Sequence, residues 1–103
     1  MAFNGTEGEA ISLAIASEWT ENYRNTMGTG DPKGHFFGKD ILKDILNQTD
    51  CMGIRIYYGI NDDDEKVLIL AGAKANEDDI TDLIADKSRP CPTNCGRNNE
   101  LNS

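Results

Sequence analysis

One histidine and three cysteines, His35, Cys51, Cys91 and Cys95, are the residues of this chain most able to do chemistry. Thiolate and imidazole are common zinc ligands, and three cysteines with one histidine complete a closed, structural tetrahedral site. Such a site would pin the C-terminal segment to the rest of a small protein and make metal binding part of folding. The spacing is weak support. Cys91-Pro92-Thr93-Asn94-Cys95 sets three residues between two cysteines where the common zinc knuckle has two, and His35 and Cys51 are isolated in sequence. Free cysteines packed as small hydrophobes are the commoner case, and a Cys91–Cys95 disulfide is the third alternative. A thiol enzyme would need Cys51 activated by a base such as His35. No orienting residue or oxyanion motif accompanies that pair, so the sequence points away from an enzyme.

Other constellations carry less. Asn61-Asp62-Asp63-Asp64-Glu65 offers carboxylates to a hard cation, but it lacks the glycine and the closing glutamate of an EF-hand loop and reads as a solvated turn. Gly28, Gly30, Gly34 and Gly38 follow no strand and precede no Lys-Ser/Thr, so no phosphate loop is present. Arg55 and Tyr57 alternate on one face of an extended segment, and both residue types are enriched at binding hot spots.

The elements that must position these residues follow from periodicity. Thr6 and Glu9 fit a capping box, and Ile11, Ala14, Ile15, Trp19 and Tyr23 recur at helical spacing, which predicts a helix over 7–26 with Leu13 off its stripe. Gly28, Gly30 and Pro32 stop it. Residues 33–38 (KGHFFG) are too short for an element and predict a plug in which Phe36 and Phe37 close the core. A second helix over 38–48 buries Ile41, Leu42, Ile45 and Leu46. The period then becomes two: residues 51–60 (CMGIRIYYGI) and 66–73 (KVLILAGA) predict a β-hairpin. Ile80, Leu83 and Ile84 fit a short helix or a third strand. From Asp86 onward the prolines and asparagines predict an irregular tail.

The expected fold is α+β: two N-terminal helices packed on a β-hairpin, residues 1–85 as one domain and 86–103 as a cysteine-containing tail. At 103 residues and 38% hydrophobic, the chain can fill one modest core. It carries 18 acidic and 10 basic residues, a net charge of −8. The imbalance lies in residues 1–85, at −9, while 86–103 carry +1. An acidic body disfavours nucleic acid and anionic membrane surfaces as partners. No basic, apolar leader stands at the N-terminus, and no apolar run nears the ~20 residues of a membrane span. The composition therefore predicts a cytoplasmic protein.

Residues 34–46 (GHFFGKDILKDIL), 51–60, 67–73 (VLILAGA) and 86–95 (DKSRPCPTNC) together resemble a group of small Bacteroidota-type bacterial proteins. The similarity runs from Trp19 onward. Members often show an Asp-x-Asn-Gly turn after the second strand where this chain has Lys74-Ala75-Asn76-Glu77, a departure that weakens the case for a cation loop there. The group has no established activity, so the resemblance implies no catalytic residue.

A two-stranded hairpin is marginal alone, and a second strand apolar on both faces implies cover on both. The expectation that follows is a non-enzymatic structural or interaction protein. It would form a homo-oligomer, or bind a protein partner, through the hairpin and tail, with contacts at Arg55, Tyr57, Leu68, Leu70, Arg89 and Arg97. The alternative is a binding module stabilised by structural zinc on His35, Cys51, Cys91 and Cys95.

Overall fold

The computed structural model describes residues 2–102 and has an α+β fold with two helices and antiparallel sheets. Its contacts gather into two compact units. One comprises residues 2–8 with Phe37–Ser88, and the other Glu9–Phe36 with residues 89–102.

The first unit holds a helix on a three-stranded sheet. Strands β2 (Cys51–Ile60), β3 (Lys66–Lys74) and β4 (Asp79–Ala85) pair antiparallel with β3 in the middle. The predicted hairpin is present, and residues 79–85, whose spacing fits either a short helix or a strand, form a strand. The register explains the ambiguity. Ile84 pairs with Ala71 and Ile80 with Gly72, so Thr81, Asp82 and Leu83 are extra residues on β4. That irregularity breaks the period-two alternation and mimics helical spacing.

Helix α2 (Lys39–Leu46) lies against β2, β3 and β4. Asp40 in its first turn complements the positive helix N-terminus, and Lys43 lies in its last turn. Its apolar face seats Ile45, 0% exposed, against Leu70 and Ala85, with Phe37, Ile41, Leu42, Cys51, Ile54, Leu68 and Leu83 around them. Burying one such aliphatic side chain is worth about 1.5–3 kcal/mol. Gly72 permits the close approach: a Cβ there would meet Cys51 Sγ at 2.9 Å, Gln48 Nε2 at 3.0 Å and Ile45 Cγ2 at 3.3 Å. Leu46, expected in the core, is exposed.

The second unit contains α1 (Leu13–Arg24) and a two-stranded pairing of β1 (Gly34–Phe36) with β5 (Arg89–Cys91). Helix α1 is shorter than the predicted 7–26. Ser12 Oγ caps it by accepting from the Ile15 N–H at 3.1 Å. Thr6 and Glu9 do not form the capping box. Gly8 has φ +96°, which no helix accommodates, and the Glu7 carboxylate accepts instead from the N–H groups of Asn4 and Gly5, each at 3.0 Å. None of the α1 residues is buried. Residues 34–36 are a short strand and not only a connection, and Phe36 is exposed, so Phe37 alone plugs the core. The C-terminal segment is more ordered than an irregular tail. Its β5 bonds to β1, the Lys33 N–H donates to the Cys91 carbonyl at 2.6 Å, and Arg24 Nη1 donates to the Leu101 carbonyl at 2.7 Å. Among the described residues no helix is long and apolar enough to cross a membrane.

Candidate interaction surface

Strand β2 is ten residues long and lies at the edge of its sheet, paired only to β3. The hairpin turn fixes its register. Asn61 Oδ1 accepts from the N–H groups of Asp63 (3.0 Å) and Glu65 (2.9 Å), and the Asn61 N–H donates to the Glu65 carbonyl at 3.0 Å. Asp64 takes a left-handed conformation, φ +64°, that aspartate tolerates. The acidic run is thus an exposed turn organised by Asn61.

Hydrogen-bonded and open positions alternate along an antiparallel ladder. Counting back from the Asn61–Glu65 bond, Gly59, Tyr57, Arg55 and Gly53 bond to β3. Ile54, Ile56, Tyr58 and Ile60 turn their N–H and C=O groups away from the sheet. The same alternation puts their side chains on the face that carries Leu70 and Gly72. Ile54 packs on the core, but Ile56 (54% exposed), Tyr58 (91%) and Ile60 (69%) do not. Arg55 is the one charged residue of the strand, and it holds no lysine or proline. Natural edges are usually blunted by such residues. The opposite edge shows the contrast: β4 is seven residues long, carries Asp79 and Asp82, and is interrupted at Thr81–Leu83.

The other face of the sheet carries a polar cluster. Arg55 Nη1 donates to Asp79 Oδ1 at 2.6 Å and to the Glu77 carbonyl at 2.9 Å, and the Tyr57 hydroxyl donates to Asp79 Oδ2 at 2.5 Å. Both side chains start on β2, where Arg55 pairs with Ala71 and Tyr57 with Ile69, and reach Asp79, which pairs with Ala73; the short side chains of Ala71 and Ala73 leave room for Arg55. The Arg55 guanidinium lies 5.3 Å from the centre of the Phe3 ring, and the Phe3 N–H donates to the Ala75 carbonyl at 2.8 Å. An open cleft of about 500 Å³ beside this cluster is lined by Phe3, Glu7, Leu46, Met52, Arg55 and Ala73.

The hydrogen bond from Tyr57, then the Arg55 guanidinium, hold the Asp79 carboxyl below the usual carboxylate range. Donating to Asp79 raises the Tyr57 pKa, and the bond to Asp79 raises that of Arg55. All three groups are therefore locked in their ordinary neutral-pH states. The cluster thus ties β2 to β4 and presents polar contacts on this face.

Compared with known proteins, this chain matches no family model, no curated protein and no solved structure. Its site must be read from its own residues.

The structure brings Arg55 and Tyr57 together on one face, as the period of two implies, and adds Asp79 as their common partner. Leu70 is 2% exposed and Leu68 packs beside it, so both serve the core in this fold. Arg89 lies on β5 and Arg97 beyond it, both exposed in the second unit. Cys91 and Cys95 are joined by a disulfide, which occupies both sulfurs. His35 sits on β1 opposite Pro90, and Cys51 is a half-buried free thiol in the first unit. Among the described residues no group of three or more His, Cys, Asp or Glu is placed to hold a metal ion. Sequence reasoning missed Ile56, Tyr58, Ile60 and Asp79. A signal for the first three was the run of apolar alternate positions extending past what an eight-residue helix covers.

Proposed function

We propose that this chain is a non-enzymatic structural or interaction protein that assembles with a second copy of itself by pairing its β2 strands across a two-fold axis. The observation that carries this reading is the outer edge of β2, where unpaired backbone groups and the apolar side chains of Ile56, Tyr58 and Ile60 coincide. A strand of the same sequence satisfies such an edge in register, and an isologous contact closes after two copies. Charge is consistent with this choice of edge. The sheet unit carries 13 acidic and 6 basic residues, yet β2 itself contributes only the positive Arg55. Two β2 strands can therefore meet without opposing carboxylates.

Native mass spectrometry of the wild type and of Tyr58→Pro tests the assembly. Proline removes an N–H that β3 does not use, a substitution edge strands tolerate, and Tyr58 makes no core contact that its loss would undo. A wild-type dimer and a monomeric, folded Tyr58→Pro are the expected pair. A wild type that stays monomeric at every concentration reached would sink the proposal, as would a Tyr58→Pro that dimerises as well as the wild type.

A further inference from the structure

Cys91 and Cys95 are not used by the proposed assembly. Their Cα atoms are 4.8 Å apart and their sulfurs are bonded; Cys95 is exposed and Cys91, at the end of β5, is half-buried. The bond lies in a surface cleft of about 330 Å³ whose lining includes Lys33, His35, Arg89 and Asn94. Among the described residues that line it, none is an aspartate or glutamate, although the chain as a whole has 18 acidic and 10 basic residues. The charged side chains among them, Lys33 and Arg89, are both basic. These two carry the positive charge of this lining, and burial lowers the His35 pKa.

We propose that Cys91–Cys95 is a redox-active disulfide that exchanges with small anionic thiols, the class of thiol peptides bearing free carboxylates. The unequal exposure sets the order of events. The incoming thiolate attacks Cys95 Sγ and forms a mixed disulfide there. The Cys91–Cys95 bond breaks, its electron pair leaves on Cys91 Sγ, and that thiolate takes up the proton the incoming thiol lost. A second thiolate attacks the small-molecule sulfur of the mixed disulfide. It releases Cys95 as a thiolate and leaves as the oxidised small-molecule disulfide. Two thiols are oxidised and one protein disulfide is reduced. In the reverse direction Cys95 attacks a small disulfide and Cys91 resolves the adduct.

Two features suit this chemistry. Positive charge beside a cysteine stabilises the thiolate, which is the nucleophile in one direction and the leaving group in the other. The loop is also held without the sulfur bond: the Asn94 N–H donates to the Pro90 carbonyl at 2.9 Å, and β5 pairs with β1. After reduction the two thiols stay close, so resolution is intramolecular and fast.

The full chain tests this directly. Folded wild type is incubated with reduced glutathione and the Cys91–Cys95 bond followed by peptide mapping. Cys91→Ser and Cys95→Ser are treated with oxidised glutathione, with Cys51 as an internal comparison thiol. Reduction of the folded wild type is expected. Cys91→Ser is expected to acquire glutathione on Cys95 about 10-fold faster than Cys95→Ser acquires it on Cys91, following their difference in access. Arg89→Glu should slow reduction of the wild-type disulfide by glutathione several-fold more than reduction by uncharged 2-mercaptoethanol, which senses only the lost stabilisation of the leaving thiolate. A disulfide that opens only in denaturant would make the bond a structural staple and overturn the proposal, and the wild type alone decides this point. Equal modification rates in the two serine variants would overturn the assigned order. Equal effects of Arg89→Glu on both thiols would overturn the anionic class.

Discussion

Arg55 and Asp79 join the two outer strands of the sheet at 2.6 Å, across a middle strand that puts only the side chains of Ala71 and Ala73 between them. Tyr57 closes the same carboxylate from the other side. The sheet is thus tied across its width by side chains as well as by its ladders.

The tie is expected to be pH-dependent at both ends. The folded-state pKa of Asp79 is depressed, so its contribution is present above the ordinary carboxylate range, near pH ~4, and is lost as pH falls through the folded value. Tyr57 is raised, so its contribution is present below about pH 10 and is lost as pH rises through the folded value. Asp79→Ala should lower the melting temperature at neutral pH. Its difference from wild type should shrink in acid and in strong alkali, and salt should reduce it as expected for a half-exposed ion pair.

Gly72→Ala should destabilise the sheet unit by about 1–3 kcal/mol, the usual cost of forcing atoms into a packed core. Its new methyl would have to displace Cys51, Gln48 and Ile45. Urea unfolding gives the value, and a neutral result would show that α2 is free to lift.

Ile45 and Ile56 are the same residue type in opposite situations. Ile45→Ala should cost about 2–5 kcal/mol, as large-to-small changes at closed core sites do. Ile56→Ala should leave monomer stability within about 0.5 kcal/mol, the range of exposed substitutions. Chemical denaturation of both variants, at concentrations where the wild type is monomeric, makes the comparison.

Ser12→Ala removes the hydroxyl that accepts from the Ile15 N–H. Losing such a cap costs about 1 kcal/mol, roughly a fivefold change in a local equilibrium. Amide exchange at Ile15 should accelerate accordingly. Exchange at Leu70, in the other unit, should not change.

The hairpin was legible because alternation and turn chemistry agree: β2 ends where Asn61 begins to organise the turn, and residues 51–60 match the strand. Helix α2 was legible from Ile41, Leu42 and Ile45. The start of α1 was not, since Thr6 and Glu9 have the right types for a cap and only the φ of Gly8 rules them out. Nor was β4, because the three extra residues at Thr81–Leu83 erase its period. Arg55 and Tyr57 could be placed on one face from sequence, but their partner could not. Asp79 meets them only once β4 is known to lie beyond β3 and β3 is known to show alanines there. The Cys91–Cys95 spacing was compatible with metal, thiols or a disulfide alike, and in the structure the two sulfurs are bonded to each other.

The backbone leaves and re-enters each unit, passing between them at residues 8/9, 36/37 and 88/89. Neither unit is therefore a continuous stretch of gene. A truncation after Ala85 would look harmless on a linear map. It would remove β5 and leave β1, fifty residues upstream of the cut, with no strand to pair. Shortening this protein from its C-terminus would thus do its first damage in the N-terminal third.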